Sequence, residues 1–167
     1  MIKKKFYTWQ DVEKMCVSIV NQMYKDNWRP DYIVGITRGG NVPATIISNM
    51  TGIRCEALKV ALRDDDSHLE SNAWMSEDAF GYVDKDEQET YKSRWDLAKR
   101  KKILIVDDIN DTGATFKWIK QDWPASCLPN EDIGWSTVWG NNVRFAVLTE
   151  NLSSEFDSVS YHCDEVN

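Results

Sequence analysis

The chain has 167 residues, 42% of them hydrophobic, which is enough for one domain with a sizeable core and short for two. Its formal net charge of −7 argues against a general nucleic-acid binder, which would normally display a basic face. No run of about eighteen apolar residues occurs, which argues against a membrane-spanning helix. An anionic small substrate is compatible with such a chain, provided that local amides and a few placed cations offset the repulsive overall field.

The opening residues, Met1 to Phe6, lead into polar sequence instead of an apolar signal core, so the expected location is cytoplasmic. Cys16, Cys55, Cys127 and Cys163 are far apart, form no CxxC pair and have His68 and His162 as the only histidines beside them. They read as reduced, structural thiols rather than metal ligands.

Thr8 and Asp11 have the spacing of a capping box, and Val12, Met15, Cys16, Ile19, Val20 and Met23 then recur at helical intervals. This predicts an amphipathic helix that ends before Pro30. Residues 32–36 form a short apolar run suited to a strand buried on both faces, and Gly39-Gly40 makes a turn. Asn41 is placed to cap a second helix through Pro43 to Met50, with Gly52 ending it, and residues 55–60 read as the next strand. A right-handed crossover lays these two strands parallel.

Residues 62–97 change character, with Asp64-Asp65-Asp66, Glu77-Asp78 and Asp84-Lys85-Asp86-Glu87 interrupted by isolated aromatics. This insertion reads either as a solvated acidic excursion or as a lid over a site, with helix expected near residues 88–98. Residues 102–106 are the clearest buried strand. They run into Asp107-Asp108 and a helix expected from about Thr112. After Trp123-Pro124, a stretch with Pro129, Gly134 and Gly140 leads to a strand at 143–149 and a weak one at 159–162. The expected architecture is a single α/β domain over residues 1–167, with a central, mostly parallel twisted sheet and helices on both faces.

The sharpest chemical signal is Ile103-Leu104-Ile105-Val106-Asp107-Asp108-Ile109-Asn110-Asp111-Thr112-Gly113-Ala114-Thr115. In open α/β sheets ligands bind beyond the carboxyl ends of the strands, where this turn must fall. Asp107 and Asp108 offer acceptors for a sugar diol, whereas two unpaired carboxylates at a buried strand end would be costly. From Asp111 to Thr115 the chain enters a helix, so several amides point outward at the positive end of its dipole and can hold a phosphate. Gly113 permits close backbone approach, and the hydroxyls of Thr112 and Thr115 add donors. Asp111 or Thr112 is also a candidate helix cap. Walker A and GxGxxG patterns are both absent. A second anion loop is written at Arg38-Gly39-Gly40, where consecutive glycines before a helix expose amides and a guanidinium supplies bidentate geometry.

The thirteen-residue string resembles the phosphoribosyl pyrophosphate signature of type I phosphoribosyltransferases. Val34 to Ala44, around Arg38, resembles the pyrophosphate loop of the bacterial xanthine-guanine group, and Tyr7-Thr8-Trp9 and Gly52-Ile53-Arg54 also look like stretches of that group. The likeness spans roughly residues 7–60 and 101–166.

The resemblance implies an enzyme that moves the 5-phosphoribosyl group to a nitrogenous base, a purine by subfamily, with release of pyrophosphate. It implies Mg²⁺ near Asp108, with Asp107 in support, and Asp111 as general base close to the purine. Arg38, Gly39, Gly40, Asp107, Asp108, Asp111, Thr112, Gly113, Ala114 and Thr115 would hold phosphoribosyl pyrophosphate. It also implies small-molecule substrates without nucleic acid or membrane, and a homo-oligomeric dimer or tetramer.

Two features depart from the pattern. Asn151 stands where the purine enzymes place a lysine that donates to the purine 6-oxygen, so it is either a base-binding donor or a loop residue. The stacking strand that usually follows residues 159–166 is missing, and Trp135 or Trp139 is a candidate replacement platform, ordinary packing being the alternative. These departures leave room for a second reading, a non-catalytic phosphoribosyl pyrophosphate or nucleotide sensor on the same fold.

Overall fold

The computed structural model describes residues 4–60, 73–83, 95–127 and 132–167. Helix α1, Trp9–Lys25, begins with the full reciprocal capping box: Thr8 accepts from the Asp11 amide and Asp11 from the Thr8 amide. Its buried stripe is Met15, Cys16, Ile19, Val20 and Met23, the periodic set read from sequence. Strand β1, Tyr32–Thr37, leads to helix α2, Asn41–Thr51, and strand β2, Cys55–Lys59. Gly40, not Asn41, is the cap residue of α2, and Gly52 closes the helix in the left-handed region.

Within the insertion, helix α3 spans Ala73–Phe80. The helix expected at 88–98 lies partly outside the described residues. Its described end is not α-helical: Trp95 bridges Tyr82 in antiparallel sense, and Leu97–Lys99 is a single 3₁₀ turn. Strand β3, Ile103–Asn110, is longer than its apolar run and carries the acidic pair inside its last turns of pleat. Helix α4, Ala114–Ser126, continues through Pro124, which is buried with Trp123 against the core. A short helix α5, Asp132–Ser136, precedes strand β4, Val143–Asn151. The last strand, β5, is Asp164–Val166; the expected segment at 159–162 contributes just a bridge between Tyr161 and Ala146.

The five strands are all parallel, in the order β2-β1-β3-β4-β5. Each strand of the centre is covered on both faces, which explains why β1 and the first half of β3 are continuously apolar. On one face Tyr32, Ile105, Phe145 and Val147 pack against Phe80 of α3 and Phe116, Ile119 and Trp123 of α4. On the other, Ile33, Leu104, Val106 and Ala146 pack against Cys16, Ile19 and Met23 of α1 and Ile47 of α2. The cysteines are free, and burial pushes the Cys16 thiol up to about 12 and Cys127 to about 11, so both behave as core residues. Among the described residues no helix is long and apolar enough to cross a membrane.

Candidate active site

Because β1 and β3 are adjacent and parallel, with Gly35 opposite Val106, the turns that leave them emerge side by side. The Arg38-Gly39-Gly40 turn follows a cis peptide between Thr37 and Arg38. Gly40 packs so closely on β3 that a Cβ would collide with the Val106 carbonyl oxygen. One residue earlier, a Cβ on Gly39 would lie 2.5 Å from Asp108 Oδ2. The glycine pair thus lets the Arg38-Gly39-Gly40 turn lie against the acidic pair, and Arg38 stands exposed beside it.

The two aspartates differ in environment. Asp107 is half-buried and accepts the Asp108 amide at 2.8 Å, while exposed Asp108 accepts the Ile109 amide at 2.9 Å. Burial pushes the Asp107 carboxyl up to about 8, and its side-chain hydrogen bond with Asp108 acts in the same direction. Both carboxyls keep acceptor capacity for ligand hydroxyls.

Helix α4 starts later than its sequence suggested. Gly113, at φ 88°, is its cap residue and makes no side-chain cap, and the helix runs from Ala114. The reason is local crowding: a Cβ on Gly113 would lie 2.6 Å from the Phe156 amide nitrogen, so only glycine accommodates both the turn and the approach of the 151–156 loop. Asp111 is therefore not the helix cap. Thr112 supports the turn weakly, accepting the Ala114 amide at 3.3 Å, and its carbonyl accepts from the Glu155 amide. Residues 107–116 line a small polar hollow at the start of α4, where the first-turn amides have no intrahelical acceptor.

Asn151 ends β4 directly beside this hollow and donates from Nδ2 to Asp111 Oδ1 at 2.8 Å; its own Oδ1 accepts the Ser153 amide at 2.9 Å. The structure thus brings Arg38, Gly39, Gly40, Asp107, Asp108, Asp111 to Thr115 and Asn151 to one end of the sheet. Trp135 and Trp139 are not brought there. Trp139 bridges Val143, the first residue of β4, at the opposite end of the strands. Trp135 is 2% exposed and stacks between Phe80 and Trp139, with centroids 5.1 and 5.5 Å away. Both belong to the core face under α3 and α4, which corrects the expectation of a stacking platform.

Residues without a sequence signal complete the site. Buried Asn110 donates to Glu150 Oε1 at 2.7 Å and to the Phe156 carbonyl at 2.8 Å, and accepts from Ser154 Oγ at 3.0 Å. This ties the end of β3 to the end of β4 just before Asp111. An asparagine inside a signature string invites attention, but its partners lie some forty residues away and no local pattern names them.

Comparison with known proteins finds relatives of this chain in sequence and in fold. The family model described as the phosphoribosyl transferase domain matches residues 3–166. Xanthine phosphoribosyltransferase 1 of Saccharomyces cerevisiae is 26% identical over 132 residues, 70% of this chain and 58% of that protein. Hypoxanthine-guanine phosphoribosyltransferase of Schizosaccharomyces pombe is also 26% identical, over 68% of this chain and 56% of that protein. The chain thus spans less than two thirds of the length of these curated relatives. Among solved structures, the purine phosphoribosyltransferase of Pyrococcus horikoshii superposes with a TM-score of 0.61 at 16% identity, covering 97% of this chain and 87% of that one, which shows a shared fold.

Proposed function

Since this chain belongs to the phosphoribosyl transferase family, we propose that it transfers the 5-phosphoribosyl group of phosphoribosyl pyrophosphate to a purine base and releases pyrophosphate. The observation that carries the reading is the approach of the Arg38-Gly39-Gly40 loop to the acidic pair that leads into the other anion loop: Gly39 lies against Asp108, and Asp108 is three residues from Asp111, where that other loop begins. A sugar phosphorylated at both ends matches that spacing of functions. Pyrophosphate falls to Arg38 and the amides of Gly39 and Gly40. The ribose hydroxyls fall to Asp107 and Asp108, and the 5-phosphate to the turn from Asp111 through Thr112, Gly113 and Ala114 to Thr115.

Displacement at ribose carbon 1 builds positive charge on the sugar, so the protein's task is to position the reactants and supply fixed charge. Asp111 acts as general base toward the incoming purine nitrogen. Its Oδ1 accepts from Asn151, which leaves Oδ2 to serve the substrate. Asn151 in turn retains one N–H for the base.

Mg²⁺ suits the donor set, since Asp107 and Asp108 are hard oxygen ligands. Among the described residues no group of three or more acidic, histidine or cysteine side chains is placed to hold a metal ion by itself, so substrate oxygens and water would complete the coordination. When bound, the ion supplies neutralising charge to the departing pyrophosphate. The same reading carries a cytoplasmic location and a homo-oligomeric state.

The test is incubation with phosphoribosyl pyrophosphate, Mg²⁺ and a panel of bases, reading pyrophosphate release. Turnover with at least one purine, lost in Asp111→Asn, is the expected result. Binding of the sugar without turnover on any base would instead assign a regulator.

A further inference from the structure

The end of β4 and the turn that leaves it touch every residue from Asn110 to Gly113. Asn110 pairs in register with Glu150, and its side chain donates to Glu150 Oε1 and the Phe156 carbonyl and accepts from Ser154 Oγ. Asp111 accepts from Asn151 Nδ2, and the Thr112 carbonyl accepts from the Glu155 amide. At Gly113 a Cβ would lie 2.6 Å from the Phe156 amide nitrogen and 2.9 Å from Ser154 Oγ. Ser154 and Phe156, the residues pressed on Gly113, are therefore the ones that Asn110 binds. They are also bound to each other, since Ser154 Oγ accepts from the Phe156 amide at 3.1 Å.

Stability alone does not account for a polar pair at this rung of the sheet. Asn110 is 3% exposed and Glu150 9%, and Glu150 Oε2 has no hydrogen-bond partner among the described residues. Burial raises the Glu150 carboxyl pKa, and the bond from Asn110 opposes that rise. A buried acceptor without a partner costs free energy, whereas an apolar pair of the same shape is close to neutral or stabilising. What Asn110 adds is direction. With both amide hydrogens and the oxygen engaged, its side chain has one orientation, and the loop that it binds has one place to sit.

We propose that Asn110, braced by Glu150, is a positioning residue for the transfer reaction: it fixes residues 151–156 against the Asp111–Gly113 turn, so that Asn151 meets Asp111 and the general base is aimed. This inference rests on the phosphoribosyl transfer reading. Asn110 touches no substrate in this scheme, and its effect travels through the Asn151 bond to Asp111. The amides of Ala114 and Thr115 lie within α4, outside these contacts, so the hold on the 5-phosphate does not depend on Asn110.

The test is steady-state pyrophosphate release from phosphoribosyl pyrophosphate with Mg²⁺ and a base that the wild type uses, beside thermal melts and calorimetry with ribose 5-phosphate. Asn110→Leu, close in shape, deletes all of the Asn110 side-chain bonds; kcat should fall about tenfold, as for other misplacements of a reacting group. Ribose 5-phosphate affinity should stay within about twofold of wild type, since the phosphate contacts remain. Glu150→Gln keeps an acceptor for Asn110 and should retain wild-type kcat. Combining Asn110→Leu with Asn151→Ala should cost no more kcat than the larger single loss, because both act through one bond. If Asn110→Leu shows no cooperative melt, Ser154→Ala, at a half-buried position, replaces it in the same cycle, with a kcat loss of about threefold expected. Unchanged kcat in the folded variant, or losses that multiply with Asn151→Ala, would overturn the positioning role and leave the transferase reading standing. If wild type releases pyrophosphate with no base, the transferase reading falls and the positioning role with it.

Discussion

Asn151 Nδ2 donates to Asp111 Oδ1 at 2.8 Å, joining the end of β4 to the turn that follows β3. The bond fixes one carboxylate oxygen of Asp111 and so aims the other. Removing it in Asn151→Ala leaves Asp111 chemically intact but free to rotate. The expected result is a kcat reduced roughly tenfold, since misplacement is costly even when the reacting group remains. Asp111→Asn should lose about 10²-fold or more, the range of general base catalysis. Equal losses in both variants would show that Asn151 contributes more than orientation.

Gly39→Ala separates the proposed role of the Arg38-Gly39-Gly40 loop from the stability of the fold. Its Cβ would meet the Asp108 carboxylate, a movable side-chain end, whereas one on Gly40 would meet the backbone of Val106 and Ile36. Gly39→Ala should therefore raise the Michaelis constant for phosphoribosyl pyrophosphate with little change in melting temperature. Gly40→Ala should cost about 1–3 kcal/mol of stability, as overpacking does. Thermal melts beside initial-rate kinetics check both.

Asp107 sets stability against function. Burial raises its folded-state pKa to about 8, so ionisation is disfavoured in the folded chain relative to the unfolded one. A raised carboxyl pKa gives stability that is fully present below the unfolded value near 4 and is lost as pH rises through the folded value. The ligand-free protein should thus melt lower at pH 8 than at pH 5 by this contribution. Asp107→Asn should flatten that slope and raise the melting temperature at pH 8, by about 2–4 °C per kcal/mol relieved. The same variant should weaken sugar binding. A pH slope that is unchanged in Asp107→Asn would remove Asp107 as its source.

Trp135→Ala tests the correction made to the tryptophan assignment. A side chain 2% exposed and stacked on two aromatics should cost about 3–5 kcal/mol when truncated. The Michaelis constant for the base, measured below the variant's melting range, should not move.

The legible parts of this protein are those where function is local in sequence. The apolar run ending in Asp107-Asp108, the Thr112-Gly113 turn and the Arg38-Gly39-Gly40 loop each carry their chemistry within a few residues, and the parallel order follows from strand, helix, strand spacing. Helix α4 was expected to start at Thr112 because capping residues were read without Phe156, whose approach demands the left-handed glycine. Composition marks the tryptophans as aromatic but not which end of the sheet they join, so sequence leaves stacking platform and ordinary packing both open, and the fold decides for packing. The bond from the Tyr7 hydroxyl to Asp164 carried no signal for a similar reason: the two residues lie 157 positions apart, and the fold brings them together.

The most direct measurement is calorimetric titration of phosphoribosyl pyrophosphate with Mg²⁺ into wild type, Arg38→Ala and a Thr112→Ala, Thr115→Ala double variant. If the turns after β1 and β3 hold opposite ends of one molecule, wild type binds a single equivalent and each variant weakens that same event by about tenfold or more, as expected for charge-assisted phosphate contacts. No heat with wild type, or full affinity after loss of either turn's side chains, would contradict the account.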